Sequence, residues 1–230
     1  MITVRKSEER GHADHGWLVT HHTFSFADYY DADHMNFRTL RVINDDTVAP
    51  KKGFDTHAHK DMEILTYIME GELEHKDTMD NHSRITQGEL QLMSAGKGVQ
   101  HSEYNPSKTA KVHLLQIWIQ PEKKGLEPSY QQKSFASHKE GLKLVVSPDG
   151  ADGSLSIHQD AKVYLGRFEK NKSAKLPVAK GRHAWIQVTK GNVAVNGVIL
   201  KEGDGAQLSG EEAISLEAKD QSEFLLFDLS

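Results

Sequence analysis

"EILTYIMEGELEH", Glu63 to His75, decides the fold, and read alone it is ambiguous. Met62, Leu65 and Met69, and Ile64 with Ile68, fall at helical spacing, so periodicity leaves helix and strand both open. A second stretch resolves it. "HAWIQVTKGNVAV", His183 to Val195, aligns with the first and sets Gly191 on Gly71. This copy is β: Trp185 to Val188 is rich in strand formers, Val193 and Val195 alternate, and Asn196-Gly197 is a strong hairpin signal. By the repeat, Glu63 to His75 is β as well.

The repeat continues. "TQGELQLMSAG", Thr86 to Gly96, matches "KEGDGAQLSG", Lys201 to Gly210, with Gly88 on Gly203. "HLLQIWI" from His113 matches "EFLLFDL" from Glu223. Short strands punctuated by Gly, Asn and Asp, twice over, predict an all-β chain of two sandwich or barrel units. The polar stretch "PEKKGLEPSY", Pro121 to Tyr130, marks the boundary, giving expected domains 1–126 and 127–230.

Composition narrows the function classes. Of 230 residues, 37% are hydrophobic and 27% charged, an ordinary globular balance with enough apolar surface for a core. The net charge of -5 and the lack of a Lys/Arg cluster give no reason to expect direct nucleic-acid binding. No run of about 18 apolar residues and no signal-peptide core is present, so the expectation is a cytoplasmic protein without membrane association. With zero cysteines, any metal must be held by nitrogen and oxygen.

Fourteen histidines are sorted by spacing. His12, His15, His21 and His22 crowd the N-terminus without a regular carboxylate partner and are read as structural or surface residues. His34, His75, His82, His138, His158 and His183 stand alone and are assigned nothing. Two pairs differ: His57-x-His59 in "DTHAHKDMEI" and His101-x-Glu103 in "VQHSEYN". On a helix, residues two apart point away from each other, whereas on a strand they share a face about 6.6 Å apart, close enough to converge on one ion. The repeat supplies a control: its offsets carry these residues onto Pro177, Ala179, Leu216 and Ala218, so all four donors vanish together in the second half. Joint loss points to one functional unit, a metal site.

"GFDTHAHKDMEILTYIMEG" followed by "GELQLMSAGKGVQHSEYN" resembles the two consecutive motifs of cupin barrels. With "HTFSFADYY" and "RVINDD" the likeness narrows to the pirin family of two-domain cupins. The resemblance implies two cupin jelly-roll (double-stranded β-helix) barrels in tandem, with one metal in the N-terminal barrel. Its implied ligands are His57, His59, His101 and Glu103, and the implied ion is Fe(II). Three imidazoles and a carboxylate also suit Mn, Co, Ni, Cu and Zn. Glu63, where general cupins place a ligand glutamate, is a competitor whose plainer reading is a solvated or salt-bridged residue at a strand start.

An open, four-donor site is catalytic in character. Bacterial pirins similar to quercetin 2,3-dioxygenases imply an enzyme acting on an aromatic polyphenol and O2, releasing carbon monoxide, with Glu103 taking the substrate's hydroxyl proton. The alternative is a metal-dependent redox-sensing regulatory protein with a protein partner. The discriminator is access, since an enzyme needs a pocket fit for a planar polyphenol. Lys97 and the aromatic residues Phe24, Phe26, Tyr29 and Tyr30 are not entered as site residues, and a monomer is expected.

Overall fold

A computed structural model describes residues 1–230. It is built of strands, with two single 3-10 turns and no α-helix; no helix is long and apolar enough to cross a membrane. The chain forms two compact units, Gly11–Ala136 with Ile157–Gln159, and Met1–Arg10 with Ser137–Ser156 and Asp160–Ser230. Both differ from the division at 126/127. β1 (Ile2–Arg5) pairs along its length with Gly205–Leu208, which draws the N-terminus into the second unit.

The first unit holds β2 (Gly11–Asp14), β3 (Leu18–His22), β4 (Leu40–Val48), β5 (Gly53–His59), β6 (Glu63–Glu70), β7 (Glu72–Asp77), β8 (His82–Thr86), β9 (Glu89–Ser94), β10 (Val99–Tyr104), β11 (Val112–Ile119) and β12 (Ser129–Ser134). β12 pairs with β9, which keeps residues 127–136 in this unit. One sheet runs β12-β9-β6-β11-β4-β3-β2 and a smaller one β5-β10-β7-β8. The ambiguous stretch is β6, a turn at Gly71 (φ +81) and β7, so the chain crosses there from the large sheet to the smaller one. Glu63 to Ile68 are all buried because β6 is a central strand covered on both faces, so it shows no alternation.

The second unit adds β13 (Gly141–Ser147), β14 (Leu155–Ser156), β15 (Ala161–Phe168), β16 (Ser173–Pro177), β17 (His183–Lys190), β18 (Val193–Val195), β19 (Val198–Leu200), β20 (Gly205–Ser209), β21 (Ala213–Ala218) and β22 (Ser222–Leu229). Its sheets run β1-β20-β17-β22-β15-β13-β14 and β16-β21-β18-β19; the smaller sheet and the strands β20 to β13 repeat the order of the first unit, while the edge differs, β14 running parallel to β13 where β2 runs antiparallel to β3.

Register shows what the duplication changed. Across the large sheet of the first unit, His22, Asn44, Gln116, Thr66 and Gln91 stand side by side on β3, β4, β11, β6 and β9. The equivalent row in the second unit is Leu144, Tyr164, Leu226, Ile186 and Ala206. Two residues further along, on the same face, Asp46 opposite Leu114 is replaced by Gly166 opposite Phe224. A Cβ on Gly166 would lie 2.3 Å from the Phe224 ring, so the glycine makes room for the phenyl group that fills this barrel.

Pairing also corrects the sequence offsets. Glu103 faces His75 as Leu216 faces Val195, and His101 faces His57 as Ile214 faces Leu176. The counterparts of His57, His101 and Glu103 are therefore Leu176, Ile214 and Leu216, and that of His59 is Val178, which donates its N–H to Glu212 beyond the end of β16. The slip of one to two residues came from treating the spacing between turns as constant. All four counterparts are aliphatic and belong to or pack against the core of the second unit.

Candidate metal centre

β5 and β10 are antiparallel neighbours with His57 opposite His101 and Val99 opposite His59, so both imidazole-bearing faces turn the same way. The register shifts between His101 and Glu103, a bulge that re-aims the strand just where the carboxylate stands. Just beyond the bulge Gly53 pairs with Tyr104, and a Cβ there would lie 2.2 Å from the Glu103 carbonyl oxygen.

The structure brings His57, His59 and His101 together, with donor atoms all within 4.8 Å of one another. Two bonds of about 2.1 Å to one ion span at most about 4.2 Å, so small ring rotations close the set. Ring centroids are 4.8 Å apart for His57 and His59, 4.5 Å for His57 and His101, and 4.9 Å for His59 and His101. Glu103 is not gathered with these three. Its carboxylate forms a second group with His101 and His75, entirely buried, so His101 is common to both.

The nitrogens present themselves as ligands. His57 Nδ1 lies 2.7 Å from the Asp55 carbonyl oxygen, which only accepts, so Nδ1 carries the proton and Nε2 keeps its lone pair. His101 Nε2 is buried with no hydrogen-bond partner, an arrangement that is costly unless something else fills the position. Burial, followed by the neighbouring imidazoles, pushes His101 down to about 3 and His59 down to about 4. Both stay neutral at pH 7, as ligation requires. This donor set fits a divalent ion.

Glu103 is positioned by the polar row of the opposite sheet. Gln116 Nε2 donates to both of its oxygens at 3.2 and 2.9 Å, and Thr66 Oγ1 donates at 3.4 Å. Beside these groups opens a cavity of about 320 Å³, at the lower end of the range for small-molecule sites. His57, His59 and Glu103 form one side of it, Phe26, Phe54 and Trp118 are its aromatic walls, and Thr20, His22, Asn44, Asp46 and Gln116 are polar.

A family model described as pirin matches residues 3–119, and one described as quercetinase C-terminal cupin domain matches residues 144–229. The chain belongs to the pirin family. A quercetin 2,3-dioxygenase of Escherichia coli strain K12 is 53% identical over 229 residues, covering 100% of this chain and 99% of that one. A pirin-like protein of Caulobacter vibrioides is 40% identical over 234 residues, covering 99% of each. The crystal structure of the bacterial pirin YhhW from Escherichia coli in complex with nickel(II) superposes with a TM-score of 0.97 at 53% identity, covering 100% of this chain and 99% of that one. Both units of this pirin are cupin barrels.

Some pocket residues escaped the sequence reading. His15, His22 and Phe26 line the cavity of this pirin although they carried no assignment. Tyr30 is exposed and Phe24 is buried in the core. Lys97 is exposed and pairs with Glu127 at 2.7 Å, away from the cavity lining. Glu63 does begin a strand, but it is buried, accepting from Ser94 Oγ at 2.8 Å and the His158 N–H at 3.4 Å, and burial pushes its carboxyl up. It belongs to neither donor group. His75 is the main omission: it is fully buried beside His101, and the repeat that isolated the four donors also sets it on apolar Val195.

Proposed function

We propose that this pirin is a metal-dependent oxidoreductase that opens the heterocyclic ring of quercetin-like flavonols with O2 and releases carbon monoxide. The observation that carries the reading is the cavity itself, in which the imidazole and carboxylate side adjoins walls of Phe26, Phe54 and Trp118. A planar polyphenol suits such walls through offset or edge-to-face ring contacts. His57, His59, His101 and Glu103 would hold the ion, with Fe(II) preferred on the family resemblance. The bound ion would act as a Lewis acid, favouring the deprotonated form of the flavonol 3-hydroxyl.

The chain's own groups supply the rest. Glu103, held by Gln116 and Thr66, takes the hydroxyl proton. Phe26, Phe54 and Trp118 restrict the ring plane and exclude water around the reacting carbons. The polar groups Thr20, Asn44 and Asp46 lie within the same cavity to meet phenolic hydroxyls. A redox sensor needs no cavity of this kind, so its presence supports the enzyme reading. The test is O2 uptake and carbon monoxide release with quercetin, using protein stripped of metal and reloaded with each divalent ion in turn. Uptake that depends on the ion and disappears in His101→Ala is expected. Absence of uptake with every tightly bound ion would reject the reading.

A further inference from the structure

Behind the three imidazoles lies a buried chain of side chains that the ligand set does not use. His101 Nδ1 is 3.4 Å from His75 Nδ1, and His75 Nε2 is 2.9 Å from Asp77 Oδ2. The side chains of His75 and Asp77 are both fully buried. β10 and β7 set this up, because His101 is paired with Asp77 and Glu103 with His75 across the two strands.

The direction of each hydrogen bond follows from Asp77. Its Oδ1 accepts from the N–H groups of Met79 and Asn81 and from Asn81 Nδ2, and its Oδ2 accepts from Asn81 Nδ2 as well. A carboxylate so surrounded accepts from His75 too, which places the His75 proton on Nε2 and the lone pair on Nδ1. That lone pair can only accept, so His101 Nδ1 carries a proton and donates it. His101 Nε2, the buried nitrogen with no partner, is left with its lone pair.

We propose that His75 and Asp77 are positioning residues that lock the tautomer and ring orientation of His101, so that Nε2 is the nitrogen offered to the metal. The inference rests on the metal-centre reading of the proposed function and extends it to two residues outside the ligand set. Supporting partners of this kind are typically worth ~10- to 100-fold in metal affinity. The second donor group, His75 with His101 and Glu103, is then no separate ion site, because both His75 nitrogens are already engaged.

The experiment uses Zn(II), which is diamagnetic and gives a readout independent of turnover. In the wild-type protein loaded with Zn(II), long-range 1H–15N histidine spectra should show His101 protonated at Nδ1 and His75 at Nε2. Zn(II) affinity by chelator competition should fall ~10- to 100-fold in Asp77→Asn, whose amide can donate to His75 and reverse the chain, and recover in part in Asp77→Glu. The wild type should bind one equivalent. A His75 proton on Nδ1, an unchanged affinity in Asp77→Asn, or a second equivalent lost in His75→Phe would each overturn the proposal. The tautomer measurement needs no variant, so misfolding of a variant leaves it decisive. Correct tautomers without quercetin turnover would reject the proposed function and keep this one; turnover with reversed tautomers would do the opposite.

Discussion

Glu103 and Asp46 are two buried carboxyl groups with different surroundings. Gln116 and Thr66 both donate to Glu103, so it is presented as an acceptor. Glu103→Gln keeps the shape and removes the basicity: turnover should fall by about 100-fold or more, while bound metal measured by elemental analysis falls much less. Equal losses would make Glu103 a ligand alone. Asp46 is pushed up to about 7 by burial first, with the negative charges of Asp45 and Glu103 adding to it. A folded-state value above the unfolded one means the folded protein binds the extra proton. The stability this contributes is complete below about pH 4 and is lost as pH rises through about 7. Asp46→Asn should therefore gain on the wild type in urea melts between pH 4 and 7, by on the order of a few kcal/mol, and then level off. A difference that is flat with pH would contradict the shift.

At the scale of elements, the β5 and β10 pair brings three imidazoles from two period-two motifs together, and its fit is tight at Gly53. Gly53→Ala would drive a Cβ into the Glu103 carbonyl and the Tyr104 backbone. A cost of about 1–3 kcal/mol is expected, with weaker metal binding as the bulge shifts. Calorimetry with metal titration checks it, and an unperturbed variant would show that the bulge does not set the carboxylate. Much of this pair was legible beforehand, since only a strand brings His57 to His59 and His101 to Glu103. The pocket was not. Its lining comes from β3, β4, β5, β10 and β11 and the segments on either side of β3, and no single stretch records which residues of distant strands share a register row. His75 is a lone histidine without a spacing signal, and only its contrast with Val195 in the second copy marks it. The exact counterparts slipped because turn lengths differ between the two copies.

For the whole molecule, the duplication divides one architecture between two interiors. In the first unit the row from His22 to Gln91 is polar, and its members His22, Asn44 and Gln116 line a cavity; in the second the same row is aliphatic but for Tyr164, and Phe224 fills the space above Gly166. The contrast follows from chemistry, since a polar row is tolerable only where its groups bond to one another, to water or to a ligand. Phe224 is fully buried and stacks on Phe168 with ring centroids 5.7 Å apart. Phe224→Ala should cost about 3–5 kcal/mol by leaving a cavity, a core defect and nothing more. Metal stoichiometry and affinity should stay at wild-type values, because no donor or pocket-lining residue belongs to the second unit. Calorimetric scans together with chelator competition test both halves of that expectation. A loss of metal affinity in Phe224→Ala would mean that the filled barrel tunes the centre, and that the two interiors are energetically coupled despite their separate cores.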